Sequence, residues 1–437
     1  MKIQRDNTVE KIHFVLAVLS YAFTQKPNTV ISREPFTPSE RRAVLSLASL
    51  YSFRMLGLFM VLPLIAVYAA DLPGATPATL GLALGGYGLT QACLQVPMGW
   101  LSDRLGRKPI VLAGLAIFIA GSVVAAMAET MTGLILGRLL QGGGAIAAAL
   151  MALAADYTRD DQRTKAMAVI GASIGASFII ALVLGPSLAA LGGLSLVFWV
   201  TAGLGACGVL LVVLVLPPVT RSAQGAAGHG LKVSELRAAI HGRGLPTLYA
   251  SVFLLHLMLM AAFVAVPARL ATTIGLPADH HWVVYLAAVL LSLPGVMLLL
   301  RGKRRSGNNP RFILVVALLL IAIGLLAAVG WPNLWGVGIG LAVFFTGFNT
   351  MEASLPALVS QLAPSEFRGT AMGLFSTSQF LGAFVGGSVG GLALQWGGVS
   401  ALAGMLSLLA LIWLPLVLRW QMAPSETSKN DQTLSPS

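Results

Sequence analysis

The chain has 437 residues, of which 57% are hydrophobic and only 10% are charged, whereas a soluble domain carries about 25% charged residues. That balance excludes a soluble globular protein. The formal net charge of +12 does not mark a nucleic-acid binder, because the cations fall in short loops between apolar runs, the distribution that sets membrane orientation.

Residues 1–41 read as a cytoplasmic N-terminal segment. Ile12 to Phe23 is apolar but too short to cross a bilayer, and no small-residue cleavage site follows a basic start, which argues against a signal peptide and leaves an interfacial segment. A helix needs about 20 apolar residues to cross the hydrocarbon core, and that ruler gives twelve spans. The first six run 42–69, 78–102, 108–128, 130–156, 165–190 and 194–217; the second six run 246–275, 281–301, 311–330, 334–362, 369–394 and 398–420. The expected fold is therefore an all-α integral membrane protein of two six-helix bundles, 42–217 and 246–422. A linker over 218–245, carrying Gly225, Ala226, Ala227 and Gly228, joins them, and a polar tail over 423–437 follows.

Loops after even-numbered spans hold Arg104, Arg107 and Lys108; Arg159, Arg163 and Lys165; Arg221, Lys232, Arg237 and Arg243; Arg301, Lys303, Arg304, Arg305 and Arg311; and Arg368. Loops after odd-numbered spans hold essentially none. This bias predicts that the even loops and both termini lie in the cytoplasm. Cys93 and Cys207 each sit inside an apolar run, which predicts packing residues and neither a disulfide nor a metal site.

Between the second and third spans lies Gly99-Trp100-Leu101-Ser102-Asp103-Arg104-Leu105-Gly106-Arg107-Lys108-Pro109, a charged, Gly-hinged turn whose ions can hold neighbouring helix ends together and release them. It resembles motif A of the major facilitator superfamily, G-x-L-x-D-R-x-G-R-K, at every signature position. The resemblance extends along the chain. Arg138, Gln141, Gly142 and Gly144 are similar to motif B of the fourth helix, whose arginine the family implicates in proton transfer. Asp156 matches the acidic partner of the motif A arginines. Gly185-Pro186 resembles the end of the antiporter motif C, although Ala172, Ala181, Ala189 and Ala190 stand where that motif has glycines, so the antiporter signature is incomplete. Phe348-Asn349-Thr350-Met351-Glu352-Ala353-Ser354-Leu355-Pro356, with Ser376, Thr377, Ser378 and Gln379 further on, is similar to the YajR-like branch of drug:proton antiporters. That likeness implies a multi-pass protein of a bacterial inner membrane, read here as a monomer.

An unpaired charge at a helix centre costs about 3 kcal/mol or more, so Arg54, Arg138, His256 and Glu352 are the candidates for proton coupling. A carboxylate held away from bulk water binds and releases protons closer to neutral pH, which makes Glu352 the leading carrier; a structural ion pair with an arginine of a neighbouring helix is the competing role. Arg54 and Arg138 stay charged and would bias a carboxylate or bind an anionic group. His256 also reads as a satisfied interior histidine. Asn349 and Gln379 are candidate substrate contacts. Asp103 is expected near the N-terminus of span eleven, where the helix dipole favours negative charge.

Two further patterns carry no chemistry. Gly171-Ala172-Ser173-Ile174-Gly175 fits G-x-S-x-G, and Gly203-Leu204-Gly205-Ala206-Cys207-Gly208 fits G-x-G-x-x-G, but both lie inside apolar spans with no preceding strand, and small residues there suit close helix packing. The halves also echo one another. Arg163-Thr164-Lys165-Ala166-Met167 resembles Arg368-Gly369-Thr370-Ala371-Met372, and Gly185-Pro186-Ser187 resembles Gly386-Gly387-Ser388 with a four-residue shift, the mark of a repeat-built transporter. The expected function is movement of a small solute by alternating access, coupled to protons and directed outward, in contact only with solute, protons and lipid, and with no cofactor or enzymatic step. A uniporter or symporter for a sugar or organic acid is the second transport reading, and a non-transporting receptor or scaffold is the reading from another class.

Overall fold

A computed structural model describes residues 35–159, 161–216, 233–277, 280–305, 310–364 and 367–420. The apolar segment at 12–23 and the polar tail lie outside the described residues. The helices are α1 (Pro38–Tyr68), α2 (Pro77–Leu105), α3 (Arg107–Ala126), α4 (Met131–Gly142), α5 (Ala147–Tyr157), α6 (Arg163–Leu214), α7 (Val233–His241), α8 (Leu245–Arg269, prolonged by a π turn, Leu270–Ile274), α9 (His281–Arg305), α10 (Pro310–Gly330), α11 (Leu334–Leu362) and α12 (Arg368–Arg419). Among the described residues, nine helical stretches are long and apolar enough to cross a membrane.

Several helix starts are written locally. Thr37-Pro38-Ser39-Glu40 forms a capping box: the Glu40 amide donates to Thr37 Oγ1 (3.2 Å) and Glu40 Oε2 accepts from the Thr37 amide (2.9 Å), with Pro38 in the first turn. α1 therefore begins four residues before the predicted span. Glu40 reaches further, because its Oε1 accepts from the amide (3.0 Å) and Nε (3.1 Å) of Arg159 in the loop after α5. Composition hides this clasp, since it joins residues 119 positions apart. Glu40→Ala removes the side-chain half of the capping box and the ion pair while the bond from the residue-40 amide to Thr37 Oγ1 remains, and we expect a loss of about 1–3 kcal/mol, read as a lower melting temperature. An unchanged melting temperature would show that the clasp does not hold the entry of α1.

The predicted fourth span is broken: α4 ends at Gly142 and α5 begins at Ala147. The fifth and sixth spans, both within α6, and the eleventh and twelfth, both within α12, are separated as expected: in each 52-residue stretch the helix is broken at a Gly-Gly pair with non-helical backbone angles. The backbone angles of the two bends agree closely: Gly192 φ −153°, ψ 24° against Gly397 φ −138°, ψ 17°, and Gly193 φ 66°, ψ −167° against Gly398 φ 62°, ψ −157°. Positive φ at Gly193 and Gly398 is what a residue without Cβ permits. Arg163, Gly192 and Leu214 each have a counterpart 205 positions on, at Arg368, Gly397 and Arg419, so the repeat holds one register. The expected four-residue shift is thereby corrected: Gly185, packed on Met60 of α1, corresponds to Gly390, packed on Ala261 of α8.

The core follows the inverted logic of a bilayer protein. Leu191, Leu298, Trp335 and Trp396 are exposed on outer faces, while Arg54, Gln91, Arg138 and Gln141 are buried. α8 is almost entirely interior and anchors the second half. Cys93 on α2 and Cys207 on α6 are exposed free thiols, which corrects their expected packing role. Within the predicted linker, Val233–His241 forms a helix, and the Tyr249 hydroxyl donates to Ala239 O (3.2 Å).

Candidate functional site

Three polar assemblies stand out, and the first is the hairpin between α2 and α3. Gly106, at φ +96°, lets the chain leave α2 and enter α3 with no intervening loop. Arg107 then reaches two carboxylates: its Nη1 stands 3.2 Å from Asp103 Oδ1, and its Nε stands 2.5 Å from Asp156 Oδ2 on α5. Lys108 Nζ donates to Leu216 O beyond α6 (2.7 Å), and the Arg104 guanidinium lies 4.0 Å over the Trp100 ring. Gly99 brings α2 against Ala148 of α5, where a Cβ would stand 3.2 Å from the alanine methyl. The hairpin thus ties α2, α3, α5 and the end of α6 into one unit. Of the two arginines expected to meet Asp156, Arg107 makes the pair.

Asp103 does not sit against the start of α12. Its side chain is 62% exposed and, among the described residues, ion-paired only within its own hairpin, and Gly369 and Gly373 at the start of α12 face open space. Gly171 and Gly175 of α6 also face open space, which corrects the expectation that they pack closely; in the second pattern Gly205 and Gly208 do pack, on Ile119 and Leu50, and Gly203 does not. The halves meet at the opposite end instead. There a Cβ at Gly85 would stand 2.6 Å from Phe384 O, one at Gly88 would stand 2.5 Å from Phe380 O, and the Ala78 amide donates to Gln395 Oε1 (3.2 Å). The structure is closed where α2 begins and parted where α2 ends. In this state Asp103→Asn should change the melting temperature little, because an exposed i,i+4 pair is worth under about 1 kcal/mol. Asp156→Asn, which strips a half-buried guanidinium of its nearer partner, should cost about 1–3 kcal/mol; equal effects of the two would sink this ranking.

The second assembly surrounds Tyr87 in the first half. Arg54 Nη2 donates to Tyr87 Oη (2.7 Å) and Gln91 Oε1 (2.6 Å), and Gln91 Nε2 donates to Gln95 Oε1 (2.9 Å). Arg138 Nε donates to Ala83 O (3.2 Å), its Nη1 to Gln141 Oε1, and Gln141 Nε2 to Ser122 Oγ (2.9 Å). Motif B's Gly142 lets this turn approach the Tyr87 carbonyl, and Gly144 lets the chain pass Gly114. No carboxylate among the described residues pairs with either arginine, so the expected bias on a nearby carboxylate is not what these cations do here.

The third assembly joins α8, α11 and α12. His256 Nδ1 lies 3.2 Å from Val252 O one turn back; a carbonyl can only accept, so Nδ1 carries the hydrogen and Nε2 of the neutral ring is an acceptor. Gln379 Nε2 donates to that nitrogen (2.8 Å) and to Glu352 Oε1 (3.3 Å), while Glu352 Oε2 stands 3.8 Å from His256 Nε2 and has no hydrogen-bond partner. His256 is interior, as expected, yet it is also the neighbour of the carboxylate, and no arginine takes that place. Asn349, one helical turn from Glu352, is elsewhere engaged, reaching Ser292 Oγ at 3.5 Å. Motif C-like Gly185 and Pro186 lie away from all three assemblies, against α1, where Ala181 and Ala189 are buried and keep the close approach that glycines would give.

Comparison with known proteins bears on the whole chain. The family model of the Major Facilitator Superfamily matches residues 47–386 and 285–436. The chain is 45% identical over 359 residues to the inner membrane transport protein YajR of Escherichia coli strain K12, covering 81% of this chain and 78% of that protein. It is 30% identical over 350 residues to the multidrug resistance protein MdtH of Aeromonas salmonicida, covering 78% and 84%. The crystal structure of a bacterial homologue of the human lysosomal transporter Spinster, inward-facing and occupied, superposes with a TM-score of 0.69 at 13% identity, covering 90% of this chain and all of that one.

Proposed function

The chain belongs to the major facilitator superfamily and is a membrane transporter, and from that premise we propose that it exports a small solute across a bacterial inner membrane in exchange for protons. Twelve crossings follow if the bends in α6 and α12 each turn the chain back and the polar α2 crosses as well. The Lys/Arg bias of the loops then places both termini and the motif A hairpin in the cytoplasm, so the present state is the one open inward.

The observation that carries the reading is the cluster of Glu352, Gln379 and His256. One amide donates to both titratable groups, and the carboxylate keeps a free oxygen facing the imidazole at 3.8 Å. A proton arriving there has two acceptors: on His256 it makes the contact ionic, on Glu352 it removes the negative charge, and either change biases how three helices of the second half pack. On the other side of the cycle, motif A is the latch: when the inner end closes, Asp103 meets the N-terminus of α12, and Arg107 with Asp156 holds the hairpin stiff, worth about 1–3 kcal/mol in the conformational balance. Solute identity and coupling are tested together by growing an efflux-deficient strain that overproduces the chain across a panel of toxic compounds. Protection against at least one compound, abolished by a protonophore, is the expected result; protection that survives the protonophore would argue for passive movement.

A further inference from the structure

We propose that the buried polar cluster of the first half is an anion site, in which Arg54, flanked by Tyr87, Gln91 and the Arg138 charge, binds the carboxylate or sulfonate group of an aromatic solute. The proposal rests on the transport reading and names the chemical class of the solute. Arg54 is 1% exposed and Arg138 is fully buried, both within apolar spans, and neither guanidinium can shed its proton. Their guanidinium carbons lie 6.0 and 5.2 Å from the ring of one tyrosine, so two positive charges share a single wall, and no carboxylate among the described residues pairs with either.

Structural arginines in apolar surroundings are completed by acceptors. These are not. Arg54 uses only Nη2, leaving Nε and Nη1 without a partner, and Arg138 leaves Nη2 without one. Nη2 belongs to both two-nitrogen edges of the guanidinium and is already engaged by Tyr87 and Gln91, so Nε and Nη1 of Arg54 each leave one open donor for an oxygen of an anion. The neutral acceptors that Arg54 does contact, Tyr87 Oη and Gln91 Oε1, hold it in place without neutralising it. The neighbouring surface is apolar and aromatic: Phe59 packs nearby and Phe380 meets Tyr87 edge-on, 6.3 Å between ring centroids. Phe380 follows Gln379 in sequence, so the solute's apolar body would lie between the cationic wall of one half and the Glu352 cluster of the other.

The test uses the purified full chain and three naphthalenes of matched size: 2-naphthoate, 2-naphthamide and 2-naphthylmethylammonium, with sodium chloride as a small-anion arm. Affinity is titrated at equilibrium without a gradient, so its failure and a failure of proton-driven transport are separate results. We expect the carboxylate to bind at least tenfold tighter than the amide or the ammonium, and Arg54→Gln to erase that preference while melting no lower than wild type. If Arg54→Gln melts far lower, Arg54→Lys decides: retained preference for the carboxylate supports the site, and its loss overturns it. Equal binding of all three compounds, no binding of the carboxylate, or an Arg54-dependent stabilisation by chloride alone would each overturn the assignment, the last by making the site a seat for an inorganic ion.

Discussion

Glu352→Gln is expected to abolish pH-driven, uphill transport, at least a hundredfold in rate, while solute binding and downhill exchange persist. The substitution keeps size and hydrogen bonding and removes the ability to exchange a proton. Gln379 can still donate to the new amide oxygen, so the packing of α8, α11 and α12 survives and the melting temperature should stay within a few degrees of wild type. A purely structural pair predicts the reverse: loss of one member would leave its partner uncompensated and cost about 3–5 kcal/mol, seen as poor expression and early unfolding. The absence of an arginine beside Glu352 among the described residues favours the first outcome, since no guanidinium is left uncompensated there. His256→Gln should shift the pH profile of transport without removing it. A stable Glu352→Gln variant that still moves solute uphill with unchanged pH dependence would place coupling elsewhere, with Asp156 next in line.

Gly85→Ala is expected to move the conformational balance at least tenfold away from the present state. Its Cβ would meet Phe384 O at 2.6 Å, Phe384 Cα at 3.0 Å and Ala383 O at 3.2 Å. All three atoms are backbone or are fixed by it, so no side chain can swing aside, and α2 must separate from α12. Overpacking of this kind costs about 1–3 kcal/mol, and about 1.4 kcal/mol is a factor of ten in population. The two halves come together here only when the α2 start is closed, so the cost falls on that state alone. Engineered cysteines near Thr79 and near Gly369, in a chain whose exposed Cys93 and Cys207 have been replaced, should gain and lose labelling respectively. Asp103→Asn pushes the other way, so the double variant should return toward the wild-type ratio. Equal labelling of Gly85→Ala and wild type at both positions would show that this glycine contact does not set the balance.

Much of this architecture is legible in the chain. Apolar length marks where helices lie to within a few residues for most spans, because burying a backbone in lipid demands continuous helix whatever the neighbours are. Motif A is legible as a hinge because a Gly at 106 between charged helix ends has few other uses, and the T-P-S-E run at 37–40 is a readable start that the apolar ruler passes over. The break between α4 and α5 falls at Gly142-Gly143-Gly144, a helix-weakening run that the apolar ruler passes over because it weighs hydropathy and not glycine.

What the sequence by itself determined is the membrane class, the placing of apolar helices, and that Arg54, Arg138 and His256 lie deep among them; all three follow from solvation, which acts on a residue one at a time. The Glu352 side chain, expected to be held from water, is instead 38% exposed. Only the tertiary structure decided which of those groups meet. Arg54 and Arg138 are 84 positions apart yet share Tyr87, and Glu352 finds His256 through Gln379 rather than an arginine. Asp103, read as a partner of α12, stays with Arg107 because the halves are parted at that end. Pairing energies depend on distances of a few ångströms between helices far apart in the chain, and those distances are set by where glycines let backbones touch.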